Sequence, residues 1–288
     1  MAIAANSQGR HGSGALRHPT TRSDAPRRWI RMDRKVKRRL VPIISVIVFL
    51  ALWQWVGSSV NPILLSTPGS VASSAVDITR DGVLVPAFLR ALGVLFAGFG
   101  ISVIGGIVIG VLMGRNETVY RAINPYVSFF QATPLIALTP LVVIWTGIGF
   151  IAEVTITCLL AIWTIIINTC EGTRNTPNAL LDMAKVYHAT ELQVIRQVTL
   201  PNALPYIFAG LRIALGKALI GVVIGEMSVS LKGLGGLIQE YGNSFQTAPL
   251  LAAIICSSIV GVIGTVVIEL IRRRIAPWSS GGNVHTRV

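Results

Sequence analysis

Three carboxylates stand in or beside long apolar stretches, Glu153, Glu226 and Glu269. An acid at bilayer depth is the residue type that carries protons or sodium ions. Each falls near the end of its stretch, Glu153 after a glycine turn, Glu226 ahead of a polar loop and Glu269 beside Arg272 and Arg273. The expected state is therefore a solvated or headgroup-paired acid, with ion coupling as the alternative. Other chemistry lacks its residues. His11, His18, His188 and His285 lie outside the apolar stretches, and Cys158, Cys170 and Cys256 are isolated, so neither metal-ligand spacing nor a redox pair is present. The run from Gly210 to Ala218 imitates a phosphate loop, but its glycines stand one residue too far apart and Ala218 replaces the hydroxyl that would hold magnesium. These patterns place a membrane enzyme last among the classes in view: no catalytic cluster is visible, and no cofactor or metal is expected on this chain.

The elements that would position these residues are membrane helices. The sequence is 52% hydrophobic and 13% charged with a mean hydropathy of +0.66, which is too apolar for a soluble domain. A span needs about 20 apolar residues, and such runs occur at Leu40 to Val56, Ala91 to Met113 and Ala248 to Ile268. The stretch from Ile123 to Cys170 holds one charge, Glu153, and has the length of two spans divided by the glycines of Trp145 to Gly149. A further span lies between Ala203 and Leu231, starting near Ala214 so that Arg212 and Lys217 reach toward the inner surface. The expected fold is all-α and integral to the membrane with six spans. Residues 40–273 form the membrane domain, preceded by a basic arm at 1–39 and followed by a tail at 274–288.

Charge sets the expected orientation, because Lys and Arg of short loops stay on the cytoplasmic side. Eleven of the 25 basic residues precede Leu40, whereas the loops expected outside carry only Arg80 and Lys232. Both termini therefore face the cytoplasm. The cluster Arg27 to Arg39 abuts the first span, so attraction to anionic lipid accounts for it more simply than nucleic acid, which is not an expected partner. The first span has no small-residue cleavage site after Val56 and reads as an uncleaved anchor. Met1 to Ala25, rich in Gly, Ser and Arg, has no apolar periodicity and is expected to be disordered.

A polar interruption at about 171–205 joins the two apolar halves. Thr176 is a suitable N-cap with Pro177 at the first helical position, which predicts a helix to about Tyr187. Leu180, Ala184 and Tyr187, with Leu181 and His188 beside them, form one face that can pack on a partner, and Asp182 and Lys185 occupy the other. Thr190 and Gln193 have capping-box spacing for a second helix, which Leu200–Pro201 and Leu204–Pro205 should stop. Within the spans, Gly98, Ser102, Gly106, Gly110 and Gly114 recur every four residues, a pattern for close helix packing. Gln131, Thr133, Thr139 and Asn168 are polar residues that could line a translocation path, although hydrogen bonds between helices explain them equally well.

The interruption resembles the cytoplasmic loop signature of binding-protein-dependent ABC importer permeases, an acid-Ala-Ala triplet, a Gly four residues on, and a hydrophobe-Leu-Pro. Asp182, Ala184, Leu200 and Pro201 match it, whereas Met183 replaces the first Ala and His188 stands where the family has Gly. A left-handed turn, slightly strained or differently closed, is expected at His188. Ser66 to Val71, Thr133–Pro134, Ile144 to Gly149, Gly210 to Arg212, Glu226 and Gly233 to Gly235 extend the likeness over roughly 62–273 and make it similar to permeases of the nitrate, sulfonate and taurine group. Gln131 departs from the expected basic residue. The resemblance implies a type I importer bundle that works by alternating access. It also implies a second permease copy, an extracytoplasmic solute-binding protein, and two ATPase subunits that carry ATP and magnesium. The loop helix would be the coupling helix, with Asp182, Ala184, Lys185, Tyr187, His188, Leu200 and Pro201 at the joint. The location implied is a bacterial-type inner membrane.

Overall fold

The computed structural model describes residues 34–277, with side chains from Leu40 onward. The readings for most of the basic arm and for the tail beyond residue 277 lie outside them. The described residues are helical without a strand. In order, the helices are α1 (Arg34–Ser59), α2 (Pro68–Arg80), α3 (Leu84–Arg115), α4 (Glu117–Ala132), a 3-10 turn (Leu135–Leu138), α5 (Thr139–Thr146), α6 (Phe150–Arg174), α7 (Asn178–Val186) and α8 (Glu191–Val194). A π-helical stretch (Ile195–Thr199), α9 (Leu200–Gly225), a second π stretch (Glu226–Ser230), α10 (Gly233–Asn243) and α11 (Thr247–Ile275) complete the chain.

Five helical runs are long and apolar enough to cross a membrane: Leu40–Ser59, Leu84–Arg115, Phe150–Arg174, Glu191–Ser230 and Thr247–Ile275. The broken pair α4 with Leu135–Thr146, bent by 93°, makes a sixth when the two halves are counted as one span. The break is local chemistry. Thr133 takes an extended conformation (φ −75°, ψ 136°) because the ring of Pro134 disfavours a helical residue before it. The second half ends where Gly147 and Gly149 adopt positive φ, and α6 starts at Phe150.

The chain divides into two units between Val48 and Phe49, inside α1. The first unit contributes the beginning of α1, whose apolar side chains from Leu40 to Val48 are exposed. In the second unit, α6 packs against both α3 and α9. The α3 face is made of residues at four-residue spacing. A Cβ added to Gly98 would lie 2.7 Å from Thr157, at Gly106 2.7 Å from Ile165, and at Gly110 2.6 Å from Thr169, with Gly114 similarly against Thr173. Ser102, in the same row, donates its hydroxyl to the carbonyls of Gly98 at 2.8 Å and Cys158 at 3.2 Å. Without side chains in the way the two backbones approach, and dispersion and hydrogen bonds hold them. Toward α9, Gly210 receives Asn168 and Gly221 receives the backbone of Thr157, the residue that also meets Gly98. Val94, Ala161, Ile165, Ala214 and Ala218 fill the centre.

Replacing Gly110 by Leu therefore pushes α3 off α6, and overpacking of this kind costs about 1–3 kcal/mol. Gly100, on the same helix, has nothing within 4 Å of its added Cβ. The expected result in detergent is a lower melting temperature and less monodisperse protein for Gly110→Leu, with Gly100→Leu near wild type.

Three expectations are corrected. The first of the two spans expected between Ile123 and Cys170 is a broken pair. The prolines Pro201 and Pro205 do not end the second helix of the polar segment, because the wider π turn at Ile195–Thr199 precedes Pro201 and the helix runs on from Glu191 to Ser230. Glu153 and Glu226 are fully buried rather than solvated.

Candidate functional site

The segment between α6 and α9 folds into a compact arm. Its root is tied to α6, where the Thr176 hydroxyl donates to the Thr173 carbonyl at 2.9 Å. Thr176 is thus not the N-cap expected of it, and Pro177, extended at ψ 130°, takes that position ahead of α7. At the far end of α7, His188 N–H bonds the Lys185 carbonyl at 2.9 Å and Ala189 N–H bonds the Ala184 carbonyl at 3.0 Å. That pair of bonds defines a Schellman closure, and it puts His188 in the left-handed region at φ 50°. A turn built for glycine is here made by histidine. Thr190 then caps α8 through a complete capping box: its backbone N–H donates to Gln193 Oε1 at 2.8 Å, and its hydroxyl accepts from the Gln193 N–H at 3.4 Å.

The left-handed conformation costs an L-residue about 1–2 kcal/mol. His188→Gly relieves it at some cost in unfolded-chain entropy, leaving an expected gain of about 0.5 kcal/mol. A melting temperature equal to or slightly above wild type, with unchanged uptake, is the expected result. A clear fall would mean that the imidazole makes a contact worth more than the strain.

The arm exposes an apolar patch. Met183, Val186, Tyr187 and Leu192 are exposed, Tyr187 to 78%. A shallow groove of about 290 Å³ runs between the two arm helices, lined by Leu180, Met183, Ala184, Tyr187, Val194 and Val198 among others. Ala184 is buried at 6%, at the contact between the helices rather than on the outer surface. Asp182 and Lys185 pair with each other at 2.9 Å on the exposed side. Leu200 and Pro201, both half-buried, sit where the π stretch passes into α9.

One ion pair braces the arm against the spans, and two more tie the span ends beside it. Arg115, at the end of α3, holds Glu191 of α8 at 2.7 Å, and Glu117, at the start of α4, holds both Arg121 and Arg174 at 2.9 Å. The Arg174 guanidinium also lies 4.2 Å from the centre of the Tyr120 ring. Glu117 and Arg121 are an i,i+4 pair, whereas the sequence offers no local pattern for Glu117–Arg174 and Arg115–Glu191, whose partners are 57 and 76 residues apart.

The polar residues named for a path are dispersed. Gln131 is exposed beside the break, and Thr133 donates to the Phe129 carbonyl within α4 at 2.8 Å. Thr139 is buried and donates to Ile136 at 2.7 Å, and Asn168 donates to Thr164 at 2.8 Å against Gly210 of α9. Gln131 and Thr133 come together at the break. Asn168 lies in the α6–α9 seam.

At the end of the bundle opposite the arm, the structure assembles a charged cluster. Glu153 of α6 is fully buried and pairs with Arg90 of α3 at 2.9 Å. Glu226, equally buried, accepts the backbone N–H of Gly235 at 2.8 Å and so caps the start of α10, where the helix dipole favours a negative charge. Gly233, at φ 76°, and Gly235 allow this approach, because a Cβ at either would collide with the Glu226 side chain. Glu226 and the Gly233–Gly235 run entered the sequence reading only as points of family likeness, and this cap, like the Arg90–Glu153 pairing, depends on how the helices meet.

Similarity to known proteins agrees with this architecture. The family described as binding-protein-dependent transport system inner membrane component matches residues 106–277. The formylaminopyrimidine transport permease protein ThiX of Halalkalibacterium halodurans is 28% identical over 240 residues, covering 83% of this chain and 96% of that protein. The taurine transport system permease protein TauC of Escherichia coli (strain K12) is 27% identical over 241 residues, with 81% and 88% covered. Among solved structures, an inward-facing form of the MetNI methionine ABC transporter superposes with a TM-score of 0.60 at 21% identity, over 68% of this chain and 98% of that one, which shows a shared fold. With the family match spanning more than half of its length, and the helical bundle and its arm in place, the chain belongs to the binding-protein-dependent inner membrane components, the permease subunits of ABC importers.

Proposed function

We propose that the chain forms one half of the translocation unit of an ATP-driven importer, pairs with a second copy of itself, and docks one ATPase subunit on the arm of each copy. A solute-binding protein on the other side of the membrane delivers the solute. The solute is a small molecule of the kind its relatives are named for, a sulfonate such as taurine, nitrate, or a compact heterocycle. Both termini and the arm face the cytoplasm in this reading, which rests on the distribution of Lys and Arg. ATP and magnesium belong to the partner subunits, since this chain supplies no phosphate-binding loop.

The observation that carries the proposal is the exposed apolar patch of α7, made of Met183, Val186 and Tyr187, on an arm whose second helix continues without a break into α9. An amphipathic helix seated in an apolar groove is a common way to join two chains. When the two ATPase subunits close, the displacement of α7 passes along two routes. One is the helical run Glu191–Ser230, with the π stretch at its base as the place where it can flex. The other is the bracing of Arg115 on Glu191, which carries motion from α8 into α3. Residues of the break, Gln131 and Thr133, together with Thr139 and Asn168, are the proposed lining of the path.

Co-expression with the ABC ATPase encoded beside it tests this. The tagged chain is expected to retain that ATPase through detergent purification, and uptake in proteoliposomes is expected to require both ATP and the binding protein. A second reading, ion-coupled transport without an ATPase, draws on the burial of Glu153 and Glu226. It requires uptake driven by an ion gradient in the absence of ATP. The Arg90 pairing and the α10 cap give both carboxylates a structural role and favour the importer.

A further inference from the structure

A cleft of about 410 Å³ opens between α9 and α11, lined by Pro205, Phe208, Ala209, Arg212 and Ile213 on one side and Ile268, Glu269 and Arg272 on the other. Its walls are apolar and its charges sit at the level of the basic last turn of α11. Among the described residues the cations of this cleft outnumber its one acid. Glu269 is taken by Arg272, through bonds of 2.8 and 2.6 Å, and by Arg273 at 3.0 Å. Arg212 is exposed and makes no ion pair or side-chain hydrogen bond with any described residue. A guanidinium projecting from an apolar helix next to hydrocarbon needs an anion at its own depth.

We propose that this cleft binds one anionic phospholipid, with the phosphodiester on Arg212 and an acyl chain along Phe208, Ile213 and Ile268. Charge complementarity selects an anionic headgroup, because Glu269 offsets only one of the two arginines it holds and Arg212 adds a further cation beside them. The apolar floor selects a lipid over a free phosphate, which would leave those side chains uncovered. A basic pocket between spans is a recognised setting for lipid headgroups. The bound lipid would join α9, the helix continuous with the arm, to α11. The inference rests on these helices being membrane-embedded and on no ATPase or solute.

The test is a titration of the purified full-length chain with phosphatidylglycerol in detergent, read by native mass spectrometry as lipids bound per chain. Phosphatidylcholine and inorganic phosphate are titrated in parallel. The expected result is one phosphatidylglycerol retained in preference to phosphatidylcholine, no adduct with phosphate alone, and roughly fivefold weaker retention in Arg212→Gln, the effect of one basic residue at a membrane surface. Arg212→Lys keeps the charge and should keep most of the preference, while Arg121→Gln, at the exposed pair with Glu117, should match wild type. Equal retention by wild type and Arg212→Gln overturns the proposal, as does parity between the two lipids. Binding of phosphate alone would mean an anion site without lipid selectivity. Each of these readings is independent of transport, so a failed uptake assay leaves the result intact.

Discussion

Ala184→Glu is expected to abolish ATP-coupled uptake while the chain still inserts and folds in the membrane. Ala184 is buried where α7 meets α8, against Val194 and Val198 across the groove. A glutamate there must either bury an unpaired charge or pry the two helices apart. The damage stays local because α7 lies outside the membrane-spanning runs, which are held by the α3–α6–α9 seams. Tyr187→Ser separates the two ways the arm could fail. Tyr187 is exposed, so its removal leaves the arm's own packing in place and takes away only outward contact area. If α7 is the docking helix, Tyr187→Ser should weaken ATPase retention by about 2 kcal/mol, the scale of an aromatic anchor. Ala184→Glu should lose the ATPase altogether. Wild-type uptake by both variants would remove the arm from energy transfer.

Arg90→Leu is expected to have the largest effect on stability. The guanidinium compensates the fully buried Glu153, and Glu226 lies just across Gly225, whose added Cβ would be 3.2 Å from the Glu153 Cα. Removing one partner of a buried pair costs about 3–5 kcal/mol, because a charge remains without compensation. Little folded protein should survive detergent extraction. The double variant Arg90→Leu with Glu153→Leu replaces both charges by apolar groups, a change that is often neutral, and should recover much of the loss. A wild-type melting curve for Arg90→Leu alone would show that Glu153 is held neutral or hydrated. Failure of the double variant to recover would point to a role for Arg90 beyond Glu153, toward Glu226 and the start of α10.

The helical, membrane-spanning character of this chain was legible in the sequence, because the requirement it meets is one-dimensional. About 20 consecutive apolar residues span a bilayer whatever surrounds them. The arm was legible for a related reason: capping boxes and left-handed turns act over three to five residues. Thr190 with Gln193, and the position of His188, therefore predicted their own geometry. The prolines misled because a π turn a few residues earlier reshapes the backbone ahead of Pro201, and no local rule announces a π turn.

What tertiary structure alone decided was which side chains are inside. Glu153 looks like a rim residue by its distance along the chain from a glycine turn, yet it is sealed at the α3–α6 contact with an arginine 63 residues away. Ala184 belongs to an apolar face by periodicity, but whether that face meets a partner or the arm's own second helix depends on how α8 folds back. Arg212 shows the converse, an arginine within an apolar run whose lack of a partner among the described residues emerges once α11 places Glu269 among its own arginines. Spacing along the chain fixes a residue's depth and helical face. Burial, pairing and the absence of a counter-ion are properties of neighbours brought from elsewhere, and those neighbours exist only in the packed bundle.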